Sequence, residues 1–220
     1  MKTIEAQRPV HIGKVVRNAL LFDFGHSHGA TVSDSSILET VDRLFALLDG
    51  RGIRYLLVGG IALLQYVEGR NTEDIDLILA PSALDQLPEV EITGRSGAFV
   101  GGIFEGLQID LLLTSNPFFE TIVRRYGTTH SFVEREIPCA TVEGLILLKL
   151  YALPSLYRQG NLVRVALYET DLLTLIHGYR PQLEPLFQEL APHVSDQDLS
   201  NLRRIVSDLQ EKIARFGEGF

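Results

Sequence analysis

The stretch from Tyr55 to Leu79, YLLVGGIALLQYVEGRNTEDIDLIL, constrains the fold more than any other part of the chain. Tyr55-Leu56-Leu57-Val58 reads as a buried strand, Gly59-Gly60 breaks it, and Ile61, Ala62, Leu64 and Gln65 open a short helical pattern. Glycines at such a turn let a ligand approach the backbone closely, and the unpaired N–H groups of a first helical turn favour an anion such as a triphosphate. Asp74-Ile75-Asp76-Leu77 then has the period of a strand, with both carboxylates on one face and Ile75 and Leu77 on the other. The thirteen residues between Gly60 and Asp74 suffice for a short helix and a return loop that sets the second strand beside the first.

Two carboxylates on one face repel each other unless a cation sits between them. Magnesium, or manganese in its place, is the natural choice, because a hard cation takes carboxylate and phosphate oxygens together. Taken singly, Gly-Gly after a strand is commonly a plain turn, and Asp-x-Asp is commonly a solvated strand edge. Their occurrence together, in this order, is what points to a nucleotide site.

Val58-Gly59-Gly60 and Asp74-Ile75-Asp76-Leu77 resemble the signature of the nucleotidyltransferase superfamily that shares the palm of DNA polymerase beta: an apolar residue, Gly-Gly or Gly-Ser, a gap, then Asp-apolar-Asp/Glu-apolar. Arg70-Asn71-Thr72-Glu73, just ahead of Asp74, is similar to the Arg-x-Thr/Ser-x-Asp form of the branch that includes the AbiEii-like toxins of toxin–antitoxin systems. The similarity runs over about residues 37 to 176. It implies that Asp74 and Asp76 hold metal, that Gly59, Gly60, Arg70 and Thr72 serve the nucleotide, and that a third carboxylate stands on a neighbouring strand. Asp110, the single charge in the apolar strand Gly106–Leu113, is in the expected place. A carboxylate among Ile and Leu needs a metal, a cation or an exposed strand end. In the family, the corresponding aspartate helps to hold the metal and activates the attacking hydroxyl. Read without the resemblance, Asp110 ends a strand or pairs with an arginine.

Downstream, TVEGLILLKLYA (Thr141 to Ala152) is a helical pattern with Thr141 as N-cap and Glu143 in the first turn. The AbiEii-like branch carries a lysine, an apolar residue and x-Ala on such a helix, as in Lys149-Leu150-Tyr151-Ala152, and that lysine is thought to contact phosphates. The alternative is a lysine snorkelling at the edge of a core helix. The branch's last motif has two acids spaced by three, and here only Asp171 is present. Thr174 stands where a second acid would follow, or Tyr168 where a first would precede.

At 220 residues, 45% hydrophobic and 22% charged, the chain can bury a core as one domain or as a core with a helical appendage. A single cysteine, Cys139, forms no intramolecular disulfide and implies a reducing cytoplasm. No apolar run has the length of a membrane span, and the first residues lack the apolar core of a signal peptide. A net charge of -8 argues against a broad nucleic-acid surface. Arg124-Arg125, Arg158 with Arg164, and Arg203-Arg204 are local basic pairs, of a kind common on solvated helix faces.

The predicted class is α/β. Residues 1–33 form an N-terminal segment without clear pattern, in which His26-x-His28 offers metal ligands but no acidic or cysteine partners at suitable spacing. Residues 34–140 form a mixed-sheet nucleotidyltransferase core flanked by helices, and 141–220 a C-terminal helical region. Within the core, Ser36 to Leu48 is an amphipathic helix opened by a Ser36/Glu39 capping box. Strands are expected near 54–58, 74–79, 97–104 and 107–113, and helices near 60–68, 82–87 and 117–126. Gly94, Gly97, Gly101 and Gly102 suggest a hairpin or a loosened edge. Beyond Thr141, helix breaks are expected at Pro154, Gly160 and Gly178 to Pro181.

The resemblance implies a magnesium-dependent enzyme that moves a nucleoside monophosphate from a nucleoside triphosphate to an acceptor hydroxyl. RNA such as tRNA, a protein hydroxyl and a small molecule are the acceptors known in its branches, and a cognate antitoxin is the implied partner of a toxin. The incomplete last motif also admits a non-catalytic nucleotide- or partner-binding protein.

Overall fold

A computed structural model of the chain describes residues 9–23, 34–68, 72–133 and 135–217. The chain divides into two compact units, Met1–Ala140 and Thr141–Phe220. In the first, helices α1 (Ile12–Asp23) and α2 (Asp34–Gly50) precede strand β1 (Tyr55–Val58), helix α3 (Gly59–Leu63) and strand β2 (Asp74–Leu79). A 3-10 segment, Pro81–Gln86, leads to β3 (Val90–Ser96), β4 (Phe99–Phe104), β5 (Leu107–Leu113), helix α4 (Pro117–Arg125), β6 (Gly127–Ser131) and β7 (Glu136–Ala140). The second unit holds α5 (Val142–Arg158), α6 (Leu162–Tyr179), α7 (Leu183–Leu190) and α8 (Asp196–Gly217).

Among the described residues seven strands form one mixed sheet in the order β3-β4-β5-β2-β1-β7-β6, so the class is the predicted α/β with a mixed sheet and flanking helices. β1 runs antiparallel to β2 and parallel to β7, and β2 runs parallel to β5. All four residues of β1 are buried, as an unbroken apolar run in a central strand requires. β5 alternates instead: Leu107, Ile109, Leu111 and Leu113 are buried, while Gln108, Asp110 and Leu112 lie on the more open face.

Helix α2 buries Val41, Leu44, Phe45 and Leu48, and ion pairs tie its polar side to two turns of the sheet. Arg43 bonds Glu105 in the β4–β5 turn, and Arg135, just ahead of β7, reaches Asp42 and Asp49, the latter at 3.0 Å. Exposed pairs of this kind contribute about 0–1 kcal/mol each, so the stripe holds the helix and the arginines set its bearing.

The segment near 97–104 is the second arm of a hairpin, as its glycines suggest, with β3 before it and Gly97 (φ 59°) in the turn. Other local expectations are corrected. The helix expected at 60–68 ends at Leu63, and 82–87 is a 3-10 turn. The hairpin β6–β7 carries no strand pattern in its sequence, because GTTHS is polar and almost wholly exposed and Pro138 sits inside β7. Pro154 does not break α5: it is itself buried, with Leu150, Leu153 and Leu156 buried about it. That packing outweighs the roughly 3 kcal/mol that an interior proline costs a helix. Thr141 caps α5 as expected, its hydroxyl accepting from the Gly144 N–H at 3.2 Å. Within residues 1–33, α1 packs against α2. His26, His28, Arg70 and the side chain of Ser36 lie outside the described residues. Among the described residues no helix is long and apolar enough to cross a membrane.

Candidate active site

Strand register brings the acids together. β1 pairs with β2 so that Val58 faces Asp76, and β2 pairs with β5 so that Asp76 faces Asp110 and Asp74 faces Gln108. Residues directly opposite one another share a face, so Asp74, Asp76 and Asp110 project from the same side of the sheet. One carboxylate oxygen from each lies within 4.8 Å of the others, and all three residues are half-buried. Three carboxylates this close form a set of hard oxygen donors that suits Mg2+ or Mn2+.

The diglycine serves this cluster sterically. Gly59 has φ 65°, and a Cβ placed on it would lie 1.7 Å from Asp76 Oδ2. A Cβ on Gly60 would lie 2.5 Å from Thr72 Oγ1 and 2.7 Å from Thr72 Cβ. The buried Thr72 hydroxyl in turn donates to Asp74 Oδ1 at 2.6 Å, fixing that carboxylate. Gly59, Gly60, Thr72, Asp74 and Asp76 are therefore one packed unit. α3 spans only five residues, so the turn offers close backbone approach more than a helix dipole.

The segment after α3 is strapped to the far side of the sheet. The Tyr66 hydroxyl donates to the Ala140 carbonyl at 2.9 Å and lies 2.7 Å from His130 Nε2, with the two rings edge-on at 5.2 Å. Burial lowers the His130 pKa. Cys139, beside this strap, is buried, which pushes its thiol up to about 12 and makes it a packing residue.

In the second unit, Lys149 and Asp171 meet each other. Nζ lies 2.6 Å from Asp171 Oδ2, with the two side chains 6% and 5% exposed, and 4.4 Å from the centroid of the Tyr168 ring. Of the two alignments of the last motif, the one that puts Tyr168 in the place of an acid is the one in which both residues touch the lysine. The ring face then supplies a cation–π contact where a carboxylate would supply full charge. Gly101 lies directly opposite Asp110, and no local sequence pattern signals this, because only the β4–β5 register places it there.

No protein-family model matches the sequence, and no curated protein matches it. Solved structures do resemble it in fold. An antigenic nucleotidyltransferase-like protein from Paracoccidioides brasiliensis superposes with a TM-score of 0.53 at 16% identity, over 80% of this chain and 88% of its own. The antibiotic-resistance factor ANT(2'')-Ia gives a TM-score of 0.47 at 13% identity, over 86% of this chain and all of its own. The likeness to the Paracoccidioides brasiliensis protein is one of fold.

Proposed function

We propose that the chain is a divalent-metal-dependent nucleotidyltransferase, moving a nucleoside monophosphate group from a nucleoside triphosphate to an acceptor hydroxyl with release of pyrophosphate. The observation that carries this reading is the convergence of Asp74, Asp76 and Asp110 beside a turn whose glycines leave room for Asp76 and Thr72. The fold likeness to a nucleotidyltransferase-like protein supports it. Asp74, Asp76 and Asp110 would hold Mg2+ or Mn2+. Such an ion, when bound, supplies the positive charge that offsets the carboxylates and the triphosphate. Gly59 and Gly60 let backbone amides approach the phosphate oxygens, and Thr72 keeps Asp74 in position. Asp110 takes the proton from the acceptor hydroxyl as its oxygen bonds to the α-phosphorus. The bond from that phosphorus to the bridging oxygen breaks, and pyrophosphate leaves. Arg70 and Lys149 are assigned to the phosphates by resemblance alone.

The test is transfer of label from each α-labelled nucleoside triphosphate with magnesium, offering RNA, protein and small-molecule fractions of a cell extract. Asp76→Ala should lower transfer about a thousandfold, the scale for removing a preorganised charge-stabilising group. Transfer unchanged in that variant refutes the proposal. The AbiEii-like resemblance would further make tRNA the acceptor, an antitoxin the partner and the cytoplasm the setting.

One observation favours a second reading, a nucleotide- or partner-binding protein without transfer: Lys149 is engaged in a buried pair with Asp171, and Tyr168 occupies an acid's place. A rise in melting temperature that depends on magnesium and triphosphate, with no transfer to any acceptor, would select it.

A further inference from the structure

Beyond Asp110 the same face of the sheet continues onto β4 and β3. Gly101 lies opposite Asp110, with Phe99 opposite Leu112 on one side and Ile103 opposite Gln108 on the other. Phe99 and Ile103 are large apolar residues left 48% and 37% exposed, and the Phe99 ring is fixed edge-on against Phe119 at 5.2 Å. Between them Gly101 contributes no side chain. An added Cβ would have Asp110 Oδ1 at 3.8 Å and Thr93 Oγ1 at 3.3 Å, the threonine standing at an irregularity of the β3–β4 register. The result is a bare patch of backbone between two apolar shoulders, floored by Gly101 and edged by one carboxylate and one hydroxyl.

The charge on this face limits what can lie there. On β1 to β5 the paired residues that share it are Leu56, Val58, Asp74, Asp76, Ile78, Gln108, Asp110, Leu112, Phe99, Gly101, Ile103, Glu91, Gly94 and Ser96, and no lysine or arginine is among these. Arg95 is paired opposite Val100, on the other face. A polynucleotide needs cations along its phosphates, and a net charge of -8 offers no compensating field. A flat ring without phosphate needs only what is present: apolar edges, a level floor and a carboxylate at its hydroxyl.

We propose that Gly101 is the specificity-determining position of the acceptor site, and that the acceptor is a small molecule whose hydroxyl is borne on a ring, which carries no phosphate and is neutral or cationic. This rests on the nucleotidyl-transfer reading. The ring lies over Gly101 between Phe99 and Ile103, its hydroxyl proton passes to Asp110, its oxygen bonds to the α-phosphorus, and pyrophosphate departs.

The experiment supplies α-labelled nucleoside triphosphate and magnesium to the full chain with total RNA, the protein fraction and the fraction below 1 kDa of one cell extract, each alone. Label is expected in the small-molecule fraction. Label confined to RNA or to protein overturns the proposal, as does the absence of label from all three when the nucleotide binds. Failure to bind magnesium and nucleotide sinks the underlying reading instead, so the two failures are distinct. With the labelled acceptor purified, Gly101→Ala should raise its KM several-fold and Gly101→Leu should reduce transfer more than a hundredfold, with the KM for nucleotide unmoved in both. Wild-type acceptor kinetics in Gly101→Leu would also overturn the proposal.

Discussion

Replacing Gly59 by alanine tests the claim that the turn exists to give Asp76 its place. The residue sits at φ 65°, where an L side chain costs about 1–2 kcal/mol. Its new methyl group would fall 1.7 Å from Asp76 Oδ2 and 2.3 Å from Asp76 Cγ, so the carboxylate must move or the turn must open. Overpacking of this kind costs a further ~1–3 kcal/mol. The sum, ~2–5 kcal/mol, lowers the melting midpoint by about 10 °C on the usual scale for a domain of this size. The two contributions separate in a double-mutant cycle. In an Asp76→Gly background the whole side chain is gone, including the Cβ that would lie 2.7 Å away, so Gly59→Ala should cost little beyond the backbone strain. Urea unfolding of the four proteins gives the coupling, expected at ~1–3 kcal/mol, and Mn2+ titration of wild type against Gly59→Ala should show weakened binding. Equal destabilisation in both backgrounds, with Mn2+ affinity intact, refutes the steric argument.

The buried Lys149–Asp171 pair makes a second prediction: Lys149→Met removes the cation beside a buried carboxylate and should destabilise by about 3–5 kcal/mol, whereas Lys149→Met with Asp171→Leu should recover most of it, measured by urea unfolding. Recovery of stability without recovery of transfer would give the lysine a role at the phosphates as well. A third concerns pH. Because the folded state lowers the His130 pKa, the unfolded chain takes up the proton first as pH falls through about 6.5, and His130 should cost stability progressively below that value and nothing above about pH 8. His130→Gln should flatten the fall in melting temperature between pH 7 and 5; an unchanged slope counts against the assignment.

What was legible in the sequence is what local pattern determines. Tyr55–Val58 is a buried central strand and reads as one, and the alternation around Asp74, Asp76 and Asp110 places each acid on the open side of its own strand. That these strands are neighbours, in a register that sets Asp76 beside Asp110, follows from pairing across residues far apart in the chain. Lys149 illustrates the limit well. Its sequence context left phosphate contact and surface snorkelling open, and the structure shows a buried pair with a partner 22 residues away on the next helix. The β6–β7 hairpin was illegible for the opposite reason: its polar, exposed residues carry no apolar period, and the sheet supplies their hydrogen bonds.

Three glycines of the candidate site share one physical task, and it ranks their substitutions. Gly59 leaves volume for Asp76, Gly60 leaves it for the threonine that holds Asp74, and Gly101 leaves the space beside Asp110. The nearest atom to an added Cβ lies at 1.7, 2.5 and 3.3 Å respectively, and only Gly59 also carries a positive φ. Destabilisation by alanine should therefore fall in the order Gly59, Gly60, Gly101, the last close to neutral because an ordinary strand conformation and a slight shift of Thr93 accommodate the methyl group. A structural glycine is expected to lose stability and function together. Gly101 should lose only the acceptor, because its added methyl group meets no described atom closer than Thr93 Oγ1 at 3.3 Å and Asp110 Oδ1 at 3.8 Å.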